Sequence, residues 1–459
     1  MEDYLRKLID KGSAYSDARY HYQRGSSISL VNGVVAGKTS WVSEGYLVRS
    51  FNNGLLTVFS SNEPKVDKLV IKSKSWETGF KPAAPINKNV IVPQVKPMSD
   101  ASVEEKVKML QEIDARVRGE KLNSKLIRFN ISLFEFIERR AFHNSEGTFS
   151  YIERPGLWLR YSMVLENKGE TISMWSDELG ALGGLELLDK WNIHAELIEK
   201  VKSLDNILIN GRAPPTGKMD VVVSSLIAGI IAHESTGHPF EADRVLGREA
   251  AQAGKSYLGY LAAGKFASEA VNVSDDPTIP GSLGFYLVDD EGIEARKKRL
   301  IVNGRVNELL QSRFTAYKMN AEPNGSMRSM DYQSEPLIRM SNTFFEPSNM
   351  KLDELIRDVR NGIFLKSYME WNIDDIRWGQ RYVGLEAYEI RNGEVGNPVK
   401  YPVLEASTGE IYSSIDAVDD ELRFYAGMCG KGEPSQAVPV WMGGPDMRIR
   451  NIRVKKLGE

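Results

Sequence analysis

Along the first dozen residues, Leu5, Leu8 and Ile9 recur at helical spacing, which predicts a short amphipathic helix. From Ala18 to Ser60 the pattern changes to that of strands. Residues 27–35 hold two β-type runs joined by Asn32-Gly33, a pair suited to a tight hairpin turn. Phe51 to Gly54, followed by Leu-Leu-Thr-Val-Phe, repeats the device. An antiparallel meander is therefore expected after the helix. Residues 82–97 carry Pro82, Pro85, Pro93 and Pro97, the mark of an extended connector. Helical spacing returns between Ser102 and Glu120, where Val103, Val107, Leu110, Ile113 and Val117 share a face. Two β-type runs follow at 126–138 and 156–165, and then a helix over 185–201.

A second break, Gly211 to Gly217 with Pro214 and Pro215, sets the expected boundary between an N-terminal domain (1–215) and a C-terminal domain (216–459). Beyond it lies an apolar helix around 224–236. Candidate strands follow at 284–289, 298–302, 336–345, 380–390 and 399–405, separated by turns such as Asn303-Gly304 and Asn392-Gly393. The strands do not alternate with helices, so the expected class is α+β. It comprises an N-terminal α/β domain with antiparallel strands and a β-rich C-terminal domain carrying the 224–236 helix.

Composition narrows the function classes. In 459 residues, Lys plus Arg (59) nearly balances Asp plus Glu (62), leaving a net charge of −3. That balance gives no bulk attraction to nucleic acid or to an anionic membrane, and neither is an expected partner. The longest apolar stretch, Val221 to Ala232, is too short to span a bilayer. Cys429 is the single cysteine, which excludes an intrachain disulfide and suits a reducing compartment. The N-terminus shows no signal-peptide pattern, so a cytoplasmic location is expected.

The sharpest chemical signal is the segment from Ile231 to Asp243, which contains His233, Glu234 and His238 in a chain of only five histidines. The histidines are five residues apart, about 140° around a regular α-helix. They can converge only if the helix is locally widened or ends before His238; Gly237 and Pro239 favour an ending. Two neutral imidazoles make half of a tetrahedral metal site. Cys429, with Gly427 and Gly430 close by, is the obvious third ligand, its thiolate favoured by the metal and by Lys431. Two His and one Cys leave a zinc ion one open position and bring the pKa of its water toward ~7. Glu234, beside a ligand but not itself one, suits a general base and acid. The combination points to metal-assisted hydrolysis of an amide or similar bond.

Other residues keep two readings at this stage. Glu241 and Asp243 can orient a ligand imidazole, or form a solvated acidic pair. Asp289 to Gly292 reads as a turn before it reads as a cation loop. Leu337 to Phe345, carrying Arg339 and Asn342, is a plain core strand or one that pairs with an extended peptide. His21, His143 and His194 are dispersed and read as structural or exposed.

Taken with their order, these pieces resemble the TldD/PmbA metallopeptidases, and in particular the TldD-type catalytic subunit. The match rests on His233 to His238, Asp289 to Gly292, Arg339 to Thr343, Glu386 to Gly393, and Cys429-Gly-Lys431 with Gln436 to Pro439. The resemblance implies zinc on His233, His238 and Cys429, with Glu234 as the catalytic acid/base. It implies hydrolysis of small or unfolded peptides in the cytoplasm. It also implies a dimer enclosing a substrate channel, formed with a related subunit that lacks the motif or with a second copy. Residues 432–436 depart from the family pattern, in which a Gly-Gln step follows sooner. The alternative class is a noncatalytic regulatory or binding subunit in which the metal only staples helix to tail.

Overall fold

The computed structural model describes residues 1–9, 12–63, 70–74, 79–175, 178–248, 256–261, 266–432 and 435–459; Glu433 and Pro434, within the departure after Lys431, lie outside them. After helix α1 (Glu2–Leu8), strands β1 (Tyr15–Val31) and β2 (Val34–Asn52) meet at Asn32-Gly33. Both turn residues have positive φ (54° and 77°), the backbone that a tight, right-twisted hairpin requires. Asn53-Gly54 repeats this (52° and 76°) between β2 and β3 (Leu55–Ser61), which pairs with β4 (Val70–Lys74). The strands run much longer than the local β signals suggest. β6 (Lys125–Asn144) and β7 (Phe149–Asn167) span 20 and 19 residues. The proline-rich connector is not free: it contains β5 (Asn87–Ile91), hydrogen-bonded in parallel to β7. With β8 (Glu170–Met174) and β9 (Glu178–Leu182) these strands form one nine-stranded sheet.

Three helices pack on one face of that sheet. α2 (Val103–Arg118) starts with a reciprocal cap, in which Ser102 and Glu105 each bind the other's backbone N–H. Its Leu110, Ile113 and Val117 are fully buried against Ile131, Leu159 and Leu197 of the same core cluster. Each such side chain contributes about 1.5–3 kcal/mol of burial. The helix expected over 185–201 is two helices, α3 (Glu186–Lys190) and α4 (Ile193–Asn210). Asn192, in the left-handed conformation (φ 45°), breaks the path between them.

The C-terminal half centres on α5 (Ser225–Ala232). Its strands are β10 (Gly217–Val223), β11 (Val273–Asp275), β12 (Lys298–Val302), β13 (Arg305–Val306), β14 (Met327–Arg328), β15 (Leu337–Ile338) and β16 (Asn342–Phe345). These are followed by β17 (Asn361–Leu365), β18 (Tyr368–Ile373), β19 (Gly379–Gly384), β20 (Ala387–Arg391) and β21 (Glu394–Pro398). The last five are β22 (Pro402–Ser407), β23 (Ile415–Val418), β24 (Arg423–Lys431), β25 (Gln436–Gly444) and β26 (Met447–Lys456). One sheet is ordered β18-β19-β22-β26-β10-β17-β20-β21, with β23 on β26. A second is ordered β13-β12-β11-β16-β25-β24, and β14 pairs with β15. Pairing is mostly antiparallel; β5/β7, β10/β17 and β16/β25 are the parallel pairs among the described residues. The fold is α+β.

Three expected strands differ. Residues 380–390 are two strands, β19 and β20, parted at Leu385 and Glu386 and paired with β22 and β17 respectively. Residues 284–289 form no strand beyond a single bridge from Val288 to Glu294, because Asp289 draws in the backbone N–H groups of Glu291, Ile293 and Met327. Residues 336–345 break into β15 and β16: Ser341 N–H bonds the Asp275 carboxylate, and the Arg339 side chain turns onto the carbonyl of Cys429. Nor is this segment a free edge, since β16 lies between β11 and β25.

Candidate metal centre

α5 is buried along its whole length, and its first N–H is anchored by the Asp446 carboxylate, which accepts from Ser225 N at 2.6 Å. Gly229 lets the helix rest on the β25 backbone: a Cβ there would lie 2.9 Å from Gly443 N. The helix then widens. His238 N–H donates to His233 O at 3.2 Å, an i→i+5 bond that brings residues five apart nearly into line. Pro239 explains part of this, since a proline has no N–H to offer the carbonyl of Ser235. The Tyr257 hydroxyl donates to that carbonyl instead, at 2.6 Å. Of the two ways in which the histidines can converge, the widened turn is the one observed.

The two imidazoles stand edge to face, centroids 5.1 Å apart. Cys429, from β24, brings its Sγ to 3.5 Å from His238 Nε2. One potential ligand atom from each of His233, His238 and Cys429 lies within 4.8 Å of the others, and all three residues are buried. Burial holds both imidazoles below their usual pKa, hence neutral with lone pairs available. Burial alone would raise the Cys429 thiol, but His238 and the Arg339 guanidinium outweigh it and bring it down to about 7. The Nδ1 of His233 is buried with no hydrogen-bond partner among the described residues. Two neutral imidazoles and a readily ionised thiol suit zinc in donor type.

The surrounding charges are placed by the same elements. Glu241 Oε2 sits 3.4 Å from His238 Nδ1 and accepts from Arg244 Nε at 2.8 Å. Burial opposes the Glu241 charge, yet Lys431 and His238 hold its carboxyl well below the usual range. Lys431 does not serve Cys429: its ammonium binds Asp243 at 2.8 and 2.9 Å, Ile338 O at 2.8 Å and Glu241 at 3.1 Å. Glu241 is thus the residue that orients an imidazole, and Asp243 holds the lysine. Glu234 and His233 open onto a cleft of about 280 Å³, walled by Tyr368, Trp371, Tyr425, Val440 and Met442. Glu234 Oε2 accepts from Arg377 Nη1 at 2.7 Å. Arg377, from the turn between β18 and β19 and itself at φ 65°, carries no motif that sequence reading could seize.

The other flagged residues lie elsewhere. His21 bonds Glu138 at 2.8 Å within a buried ionic cluster. Asp290 and Glu291 pair with arginines of the N-terminal sheet, Asp290 with Arg19 and Arg140 and Glu291 with Arg49. The 289–292 segment is a turn whose carboxylates are already engaged.

Family models cover most of the chain: "PmbA/TldA metallopeptidase domain 1" matches residues 16–75, the central domain 96–204 and the C-terminal domain 216–456. A protein from Methanothermobacter thermautotrophicus named a metalloprotease is 32% identical, with 98% of each chain covered. A zinc metalloprotease TldD homolog from Saccharolobus solfataricus is 24% identical, with 99% of each covered. Among solved structures, TldE from Thermococcus kodakarensis superposes with a TM-score of 0.71 at 16% identity, covering 98% of this chain and 99% of that one. A Thermotoga maritima protein described as a candidate modulator of DNA gyrase superposes with a TM-score of 0.76 at 16% identity, with 99% of each covered.

Proposed function

The chain belongs to the PmbA/TldD metallopeptidase family, and from that premise we propose that it is a zinc-dependent peptidase acting on small or unfolded peptides. The observation that carries this reading is the convergence of His233, His238 and Cys429 beside Glu234 at the wall of a cleft. His233, His238 and Cys429 are the proposed ligands, in a C-terminal catalytic domain (216–459) that follows an N-terminal domain (1–215). Zinc bound there supplies Lewis acidity, acidifying water and polarising the scissile carbonyl.

The protein's own groups do the rest. Glu241 accepts a hydrogen bond from the His238 Nδ1–H and so leaves the Nε2 lone pair facing the site it shares with His233 and Cys429. Glu234 removes the proton of the attacking water and delivers it to the leaving amine. Arg377 fixes one oxygen of that carboxylate, which limits its motion between the two transfers. The cleft, about 280 Å³, admits an extended segment and not a folded domain. Beside it, β24 ends its sheet among the described residues, and the backbone groups along that edge can take an extended peptide as a further strand. The working form is a cytoplasmic dimer, with a motif-lacking relative or a second copy.

The test is metal content by elemental mass spectrometry on the purified protein and on Cys429→Ser. About one zinc per chain in the first and clearly less in the second supports the reading. No zinc after metal-replete preparation contradicts it, and with it the alternative in which the metal staples helix to tail.

A further inference from the structure

β24 separates two cavities. By strand alternation, Tyr425, Gly427 and Cys429 face the His233 cleft, and Phe424, Ala426 and Met428 face the N-terminal sheet. On that second side lies a cavity of about 370 Å³, lined by Trp41, Phe134, Phe136, Trp158, Met330 and Met428. Met428, 48% exposed, lines both cavities.

The second cavity is built, not incidental. Two glycines on strands neighbouring those of its aromatic rings let the rings lie against the sheet backbone. A Cβ on Gly25 would fall 2.1 Å from the Trp41 ring, and one on Gly156 would fall 2.4 Å from the Phe136 ring. The Arg160 guanidinium stacks over Phe134 and Trp158, 5.3 and 5.1 Å from their centroids. The charged groups at the other end are already engaged, Glu138 by Arg154 and His21, and Arg140 by Asp290. What remains for a visitor is an aromatic surface, with the buried Trp158 indole N–H lacking a partner among the described residues.

We infer that this cavity is a side-chain subsite for the peptide that occupies the cleft. The inference rests on the peptidase reading. A peptide paired along β24, the last strand of its sheet among the described residues, directs alternate side chains to opposite faces of the sheet. One residue enters the cleft beside Glu234, and its neighbour, on the far side of Met428, enters the aromatic cavity. The favoured neighbour is large and apolar or aromatic, since ring-on-ring packing is the contact this lining offers. The continuity of the two cavities at Met428, along one edge strand, argues for a single extended occupant rather than a second copy of the chain.

The test uses full-length, zinc-loaded Glu234→Gln and an unstructured Gly-Ala-Ser peptide bearing one benzophenone side chain, moved one position at a time. Photocrosslinks located by mass spectrometry are expected to alternate, one position labelling Tyr368, Trp371 or Met442 and the next labelling Met330, Trp158 or Trp41. In the active enzyme, Trp41→Ala is expected to cut the preference for Phe over Ala at the groove position about tenfold, expressed in KM. Cleft labelling without groove labelling overturns this inference and leaves the peptidase reading standing. Absence of labelling in both overturns the two together. Groove labelling by a second protein chain overturns the inference in favour of a dimer surface.

Discussion

Gly229→Ala tests how the fold sets the metal geometry. The new methyl would sit 2.9 Å from Gly443 N and 3.1 Å from Gly443 Cα and the Met442 carbonyl carbon, all of them backbone atoms. Ordinary contacts between such atoms are about 3.5–4.0 Å, so α5 has to retreat from β25 by roughly 0.5–1 Å. Alanine returns about 0.5–1 kcal/mol of helix propensity. Overpacking costs about 1–3 kcal/mol, so net destabilisation is about 1 kcal/mol and the protein stays folded. The geometry suffers more. His233 follows α5 while Cys429 stays on β24, and a metal site tolerates only about 0.2 Å in its ligand distances. Zinc affinity, read by competition with a chromophoric chelator, is expected to fall at least about tenfold. Gly37→Ala, whose Cβ meets nothing within 4 Å, is the control. A folded Gly229→Ala protein that binds zinc as tightly as the control refutes the claim that the α5–β25 contact sets the ligand spacing.

Three further outcomes follow from the same structure. Glu241→Gln removes the carboxylate behind His238 and is expected to weaken zinc binding about 10–100-fold, measured by the same competition; unchanged affinity would show that the 3.4 Å contact does no orienting. Burial disfavours charge on Asp290, but Arg19 and Arg140 bring its pKa from 3.8 to about 2. A depressed folded value means stability present above 3.8 and lost as pH falls toward 2, here about 2 kcal/mol. In urea unfolding, the gap between wild type and Asp290→Asn should therefore narrow across that window; a gap independent of pH removes the ion pair as its cause. Tyr257→Phe deletes the donor to the Ser235 carbonyl in the widened turn and is expected to cost about 1–3 kcal/mol, read in the urea midpoint.

What the sequence makes legible is what is local. The Asn-Gly turns and the Ser102–Glu105 cap act within four residues, and each sets its hairpin or helix where the pattern puts it. The His-Glu motif is legible as chemistry, and the need for a distortion follows from the five-residue spacing alone. Which distortion occurs does not, because it depends on Tyr257 and Gln380 reaching Ser235 from other elements. Arg377 is invisible for the same reason: 143 residues separate it from Glu234. The 336–345 run has strand composition throughout, yet Arg339 and Ser341 find better partners across the core than along a strand. Lys431 stands two residues from Cys429 and suggests itself as a thiolate partner. The fold gives it to Asp243, because two carboxylates buried nearby need its charge more.

The central claim is that Glu234 performs proton transfer at a zinc site it does not itself build. The direct measurement is turnover of an unfolded peptide by Glu234→Gln, with zinc content determined on the same sample. The account predicts full zinc occupancy and a fall in kcat of about 10²–10⁴-fold. Turnover equal to wild type at full occupancy would contradict it.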